Sequence, residues 1–242
     1  MARTGGFEVR ILAVDVGGTH VKVLLSGTRV PRKVESGPSM TARGMVAAVK
    51  KLTADWRYDA VSLGYPGPVL HGKPVVNPKN LGGGWVGFAF DKAFGKPVRI
   101  VNDAAMQALG SYQGGRMLFL GLGTGLGSAM IVDGLLEPLE LAHLPYKKGR
   151  TYEDYVGLRG LRRLGKKRWR QAVADVVERL QTAVEADYVV LGGGNAKLLK
   201  RAPKGARLGE NDNAFRGGFL LWKDEARRSR SRPPRGSATT LS

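Results

Sequence analysis

The chain has 242 residues, 43% hydrophobic and 24% charged, so it is long enough to bury a sizeable core in one large or two small domains. It has no cysteine, which excludes disulfides, thiolate metal sites and cysteine nucleophiles, and with neither a signal pattern nor an apolar run near ~18 residues we expect a soluble cytoplasmic protein. Its 39 Lys and Arg against 20 Asp and Glu give a net charge of +19, which favours polyanionic partners: nucleic acid, anionic membrane or a phosphate-rich substrate.

Short β-rich apolar runs and amphipathic segments follow one another along the chain. The pattern predicts strands at 9–16, 20–25, 29–35, 60–63, 98–101, 117–122, 128–132 and 188–191. It predicts helices at 41–56 (with Thr41 as the cap), 85–94, 104–112, 152–163, 166–186, 195–200 and 214–222. Residues 71–84 are predicted to be irregular, and residues 1–8 and the basic tail at 223–242 to be disordered.

A strand, glycine turn and strand occur in this order at 9–25 and again at 117–132. The repetition predicts two similar halves with a cleft between them. We therefore expect an N-terminal lobe at residues 1–102 and a C-terminal lobe at 103–222, with the last helix packing on the N-terminal lobe.

Three glycine-rich turns offer backbone N–H groups to an anion. In the first, Gly17, Gly18 and Thr19 are the candidate phosphate ligands and Asp15 the candidate Mg²⁺ ligand. The second has four glycines between Gly121 and Gly127, and the third is Gly192-Gly193-Gly194. Each turn is equally consistent with an ordinary tight connection between elements.

Asn102-Asp103 follows an apolar strand, and ligands bind at strand ends of this kind in open α/β sheets. A carboxylate at this place can accept the proton of a hydroxyl that attacks phosphorus. Local rules favour a second interpretation, in which the pair caps the following helix. Both interpretations stay open on local grounds.

Polar residues further along the chain have the same ambiguity. Glu140 and His143, three residues apart, suit either a sugar site or a surface Glu beside a core His. Glu153 suits either a ligand-binding acid or a helix N-terminal charge.

In their order, these motifs resemble the sugar kinases of the ROK family (repressor, open reading frame, kinase) of the actin-like ATPase superfamily, over roughly residues 9–222. The matching segments are Asp15-Val16-Gly17-Gly18-Thr19, Gly64-Tyr65-Pro66-Gly67, Asn102-Asp103-Ala104, Gly121-Leu122-Gly123-Thr124-Gly125, Glu140-Leu141-Ala142-His143 and Gly192-Gly193-Gly194. The resemblance implies an α/β fold with two actin-like, ribonuclease H-like lobes around a central cleft.

The resemblance also implies the role of each candidate residue. Asp103 is the implied catalytic base and Asp15 the metal ligand. The implied sugar-binding residues are Gly67, Asn80, Asn102, Glu140, His143 and Glu153. The implied donor-binding residues are Asp15, Gly17, Gly18, Thr19, Gly123, Thr124, Gly125 and, on the adenosine side, Gly193 and Gly194.

The chain lacks the family's cysteine-rich zinc motif and is short, as in the branch similar to polyphosphate glucokinases. The implied activity is phosphoryl transfer from inorganic polyphosphate, ATP or both to the 6-hydroxyl of glucose, with Mg²⁺, without zinc and in a homodimer. The alternatives are a strictly ATP-dependent kinase of mannose, fructose or an amino sugar, and a non-catalytic sugar sensor. No specific nucleic acid and no membrane are expected as partners.

Residues 147–170 contain ten basic and two acidic residues. This segment suits a long polyanion such as polyphosphate, or else forms a solvated helix face.

Overall fold

The structure, a computed structural model, describes residues 9–210 and 212–223. The disorder predicted for residues 1–8 and for the tail after residue 223 lies outside the described residues. Within the described part, no helix combines the length and the apolar character needed to cross a membrane.

Strands and helices are interspersed along the chain, as in an α/β fold. The strands are β1 (Ile11–Val16), β2 (His20–Leu25), β3 (Arg32–Glu35), β4 (Ala60–Tyr65), β5 (Val69–Leu70), β6 (Lys73–Pro74), β7 (Val98–Asn102), β8 (Arg116–Leu122), β9 (Leu126–Val132), β10 (Leu135–Leu139), β11 (Pro145–Lys147), β12 (Arg150–Thr151), β13 (Tyr188–Gly192) and β14 (Ala206–Leu208). The helices are α1 (Ala42–Leu52), α2 (Phe90–Phe94), α3 (Asp103–Ser111), α4 (Tyr152–Val156), α5 (Leu158–Ala183) and α6 (Asn213–Leu220), with a 3₁₀ turn at Ala196–Leu198.

Two five-stranded sheets share one topology. The first has the order β3-β2-β1-β4-β7 and the second β10-β9-β8-β13-β14. In each, the first three strands pair antiparallel and the last two add in parallel. This symmetry confirms the predicted α/β fold with two similar halves.

The strands that carry the site are buried because apolar residues fill them. In the first half, Leu12, Leu63 and Trp85 are fully buried in one core, on which α1 packs. The Thr41 hydroxyl accepts from the Gly44 N–H at 3.1 Å and begins α1, as predicted. In the second half, Leu118 and Trp169 belong to the core between the sheet and α5.

Helix α6 packs on α3 and on the first sheet. A Cβ on Gly217 would lie 1.7 Å from the Met106 carbonyl oxygen, so the two helices cross at backbone contact. The Ser62 hydroxyl of β4 donates to the Gly218 carbonyl at 2.5 Å. These contacts fix α3, and with it the catalytic candidate at its first residue, against the first sheet.

Several predicted bounds differ from the structure for local reasons. The helix expected at 85–94 is limited to α2, because the backbone at Gly87 is left-handed with φ 73°. The helix expected at 152–163 is divided at Gly157 into α4 and the first part of α5. The break expected before residue 166 is present within α5, where the backbone of Gly165 is not helical (φ 70°, ψ 161°). Strands β11, β12 and β14 are too short to be recognised from the sequence, and β10 contains Glu137 and Pro138, which interrupt its apolar pattern.

Candidate active site

A cleft of about 780 Å³ lies between the two halves. Its lining includes most residues that the sequence singled out: Gly17, Gly18, Gly67, Asn80, Asn102, Asp103, Gly123, Thr124, Gly125, Glu140, His143, Glu153 and Gly193. Thr19 and Gly194 are not in this lining but directly follow lining residues, and Asp15 lies two positions before Gly17. The fold therefore brings together residues that are far apart in the sequence, although the role of each stays a prediction.

Asn102 ends β7 and caps α3. Its Oδ1 accepts from the N–H groups of Ala104 at 2.9 Å and Ala105 at 3.3 Å. Its Nδ2 donates to the Gly67 carbonyl at 3.0 Å, which ties the Gly67 loop to the strand end. The cap interpretation is thus confirmed for Asn102, and the cap places Asp103 at the cleft.

Asp103 is the first residue of α3 and has a strongly perturbed carboxyl group. Burial and the nearby charge of Asp15 raise its pKa to about 7, while the Ala104 N–H, donating to Oδ1 at 2.8 Å, acts in the opposite direction. A carboxyl group with a pKa near neutral pH is suited to general base catalysis.

Asp15 lies in β1, paired in register with Lys22 of β2 and Gly64 of β4. Burial raises its pKa, and the charge of Lys22 lowers it by a smaller amount. The charge of Asp15 raises the pKa of Asp103, which lines the cleft, so a cation beside these two carboxyl groups would be stabilised.

The first glycine turn is held by backbone bonds. The Gly17 N–H donates to the His20 carbonyl at 3.0 Å, and the Ser36 hydroxyl donates to the Gly17 carbonyl at 2.6 Å. Gly18 is exposed, and a Cβ there would lie 3.3 Å from the Cβ of Asn80. The turn therefore has one open face, which Asn80 borders.

The second glycine turn packs on the third and on α4. The Asn195 amide donates to the Gly123 carbonyl at 2.9 Å. Glu153 Oε2 accepts from the Leu126 N–H at 3.1 Å, and a Cβ on Gly125 would lie 2.3 Å from that oxygen. Glu153, which the family resemblance assigns to the sugar side, therefore also supports the second glycine turn.

Glu140 and His143 lie together at the mouth of the cleft. The His143 Nε2 and Glu140 Oε1 atoms are 4.0 Å apart, and both side chains are about two-thirds exposed. Their position after β10 leaves both free to turn towards a polyol in the cleft.

The donor set suits Mg²⁺ only in part. Asp15 and Asp103 offer carboxylate oxygens, and Mg²⁺ commonly takes one or two carboxylates while substrate phosphates and water complete its shell. Within residues 9–210 and 212–223, no group of three or more His, Asp or Glu side chains could hold a metal ion by itself. The residues present thus fit an ion that is bound together with a phosphate donor.

The cleft also contains side chains that the sequence did not single out individually. Gln107 lies one turn after Asp103 on α3, and Arg159 and Arg162 lie on α5. Helical spacing from Asp103 could have identified Gln107. The two arginines are hidden within a long basic run, and only the fold distinguishes them from the others.

The two sheets of equal topology and the cleft lined by glycine turns define an actin-like ATPase fold. The model of the ROK family matches residues 11–137, more than half of the chain, and the chain belongs to this family.

Over 143 residues the chain is 31% identical to the bifunctional enzyme NanE/NanK of Brucella melitensis, a match that covers 52% of this chain. The chain spans only 27% of that relative's length. It is 28% identical over 227 residues to polyphosphate glucokinase of Mycobacterium tuberculosis, covering 82% of this chain and 81% of that protein.

Among solved structures, the inorganic polyphosphate/ATP-glucomannokinase from Arthrobacter sp. strain KM superimposes with a TM-score of 0.74 at 23% identity, covering 90% of this chain and 100% of that one.

Proposed function

We propose that the chain is a hexose kinase that transfers a phosphoryl group from inorganic polyphosphate, ATP or both to the 6-hydroxyl of glucose. The observation that carries the proposal is Asp103, a carboxyl group with a pKa of about 7 in a cleft that residues of all three glycine turns also line.

In the proposed reaction the sugar oxygen O6 attacks the terminal phosphorus of the donor. A bond forms between O6 and phosphorus, the bond from phosphorus to the bridging oxygen breaks, and the shortened donor leaves with that oxygen. Asp103 accepts the proton of the hydroxyl. At neutral pH about half of the Asp103 carboxyl groups are ionised and able to do so.

The sugar hydroxyls are assigned to polar groups on the N-terminal and C-terminal sides of the cleft: Gly67, Asn80, Asn102, Glu140, His143 and Glu153. A site that bonds each hydroxyl rejects analogues that lack one, by a factor on the order of 10⁴. Asn102 already bonds to Gly67 and to the start of α3, so we assign it one remaining N–H for the sugar.

The donor phosphates are assigned to the open backbone of the first two glycine turns: Gly17, Gly18, Thr19, Gly123, Thr124 and Gly125. Gly193 and Gly194 are assigned to the adenosine side. Asp15 would hold Mg²⁺, which offsets the charge of the donor phosphates when bound. The remaining catalysis comes from positioning and from backbone N–H groups directed at the phosphate.

Polyphosphate as donor is supported by the length of the match to the mycobacterial polyphosphate glucokinase and by the fold shared with an enzyme named for both donors. The alternative is a strictly ATP-dependent kinase of another hexose. Mannose is favoured among the alternatives because the same solved structure is named a glucomannokinase.

A coupled assay over glucose, mannose, fructose and glucosamine, with ATP and polyphosphate as donors and Mg²⁺ present, tests the proposal. Sugar 6-phosphate should form from glucose with at least one donor. Absence of transfer from both donors to every sugar would refute it. Light scattering on the purified protein tests the homodimer that we propose for the chain.

A further inference from the structure

The start of α5 forms a wall of the cleft beside the second glycine turn. The Leu158 N–H donates to the Thr124 carbonyl at 3.1 Å, and a Cβ on Gly157 would lie 3.0 Å from the same oxygen. Backbone contact this close fixes the first turns of α5 against the turn to which the donor is assigned. Side chains in these turns therefore have a defined position relative to the donor.

Two arginines of this wall line the cleft, Arg159 and Arg162. They are three residues apart and so lie on one helix face. Arg159 Nη2 is 3.5 Å from Glu153 Oε1 and 3.9 Å from Asp154 Oδ1, yet its side chain is 77% exposed. Arg162 is exposed and forms no hydrogen bond or ion pair with any residue in 9–210 or 212–223. Most of the donor capacity of both guanidinium groups is therefore unused.

Other basic residues between 147 and 170 are differently placed. Lys147, Arg163 and Arg170 each donate to a carboxylate or carbonyl oxygen of the C-terminal half, at 2.8 to 3.1 Å. Residues 166–168 follow the interruption of α5 at Gly165 and are exposed, but they are not among the described residues that line the cleft. The basic run is therefore not one continuous surface.

We infer that Arg159 and Arg162 bind the phosphate chain of the donor beyond the transferred group, and thereby favour a long polyphosphate over ATP. The inference rests on the proposed function. A guanidinium group binds phosphate oxygens through parallel N–H groups, and Arg159 exchanges its long contact with Glu153 for such a pair. A polyphosphate carries negative charge on every unit and reaches both side chains, whereas ATP ends in a nucleoside after three phosphates.

Arg162→Gln is the main test because Arg162 has no contact with Glu153, and Arg168→Gln is the matched control with the same loss of charge. We expect Arg162→Gln to raise the KM for long-chain polyphosphate about fivefold and the KM for ATP less than about twofold. Across a salt series, the slope of log KM for polyphosphate against log salt should fall by about 0.7. Arg168→Gln should leave the KM for polyphosphate, the KM for ATP and the salt slope at their wild-type values.

A second variant, Arg159→Lys, keeps the charge but removes the planar fork, and it should raise the KM for polyphosphate without changing that for glucose. The inference is overturned if Arg162→Gln raises the KM for both donors equally, or if Arg168→Gln has the same effect. A change confined to the KM for glucose overturns it as well.

Direct binding separates this inference from the function on which it rests. Isothermal titration of the wild type and of Arg162→Gln with long-chain polyphosphate, without sugar, should show weaker binding by the variant. If the wild type binds polyphosphate in this arginine-dependent way but transfers no phosphoryl group, the proposed function fails and the arginine assignment stands. If transfer occurs and the variant binds as the wild type does, the assignment alone fails.

Discussion

Replacing Asp103 with Asn should reduce activity and stabilise the fold at the same time. Asn keeps the oxygen that accepts from the Ala104 N–H at 2.8 Å, so the start of α3 stays intact. It cannot accept the proton of the sugar hydroxyl, and loss of a general base lowers kcat by about 10² to 10⁴. The variant separates the chemical role of the carboxylate from its structural one.

The gain in stability follows from the pKa of Asp103, which burial and the charge of Asp15 raise from 3.8 to about 7. A carboxyl group whose pKa is raised on folding is disfavoured in its ionised form. Stability is therefore lost as the pH rises from about 4 to about 7, at about 1.4 kcal/mol per pH unit. At pH 8 the free energy of unfolding of the Asp103→Asn variant should therefore exceed that of the wild type by up to about 4 kcal/mol. At pH 4 the two values should be nearly equal.

The same pKa predicts the pH dependence of the activity proposed for the wild-type protein. Only about a tenth of the Asp103 groups are ionised at pH 6, against about nine-tenths at pH 8, so kcat/KM should be about tenfold lower at pH 6. Urea unfolding without Mg²⁺ measures the change in stability, and a coupled kinase assay measures the change in activity. The control variant for both is Asp133→Asn, at an exposed turn. An Asp103→Asn variant that keeps more than about a tenth of the wild-type kcat would refute the base assignment, and equal stabilities at pH 8 would refute the burial argument.

Three further predictions concern the donor turn, the helix crossing and the cation. Gly125→Ala should lower kcat/KM for the donor by up to about 100-fold, because the new Cβ would lie 2.3 Å from Glu153 Oε2; unchanged steady-state kinetics would contradict the packing of this turn. Gly217→Ala should lower the free energy of unfolding by about 3 kcal/mol, because its Cβ would lie 1.7 Å from the Met106 carbonyl oxygen. Gly83→Ala, with no atom within 4 Å, is the control in urea unfolding, and equal losses in both variants would contradict the crossing. EDTA should abolish transfer and added Mg²⁺ restore it, whereas full activity in EDTA would exclude the proposed ion.

The sequence predicted those parts of the molecule that depend on local chemistry. The strand and glycine-turn units were recognisable because apolar β-rich residues end at glycines in both halves, as at Val16 and Leu122. The cap at Asn102 was recognisable because Asn before an alanine-rich helix is favoured at that position. From these units the two-lobed fold and the place of Asp103 follow.

Other features depend on contacts between distant segments and had no local signal. Nothing near Gly110 or Gly217 in the sequence indicates that two helices meet there at backbone distance. In the sequence, Arg159 and Arg162 lie in the same basic run as Arg168, and nothing in its composition distinguishes them. The docking of α5 on Thr124 is what places the first two, but not Arg168, at the cleft. The support that Glu153 gives to the donor turn depends likewise on tertiary packing.

The packing of α6 on the first sheet has a consequence for the order of events during synthesis. The Ser62 hydroxyl bonds to the Gly218 carbonyl, and the two residues are 156 positions apart. The Trp222 indole N–H donates to the same hydroxyl at 2.9 Å. On the ribosome, strands β1 and β4 therefore emerge long before the helix that covers them. The nascent chain must keep an apolar sheet face soluble until α6 has been translated, and chaperone binding is expected to concentrate in that interval.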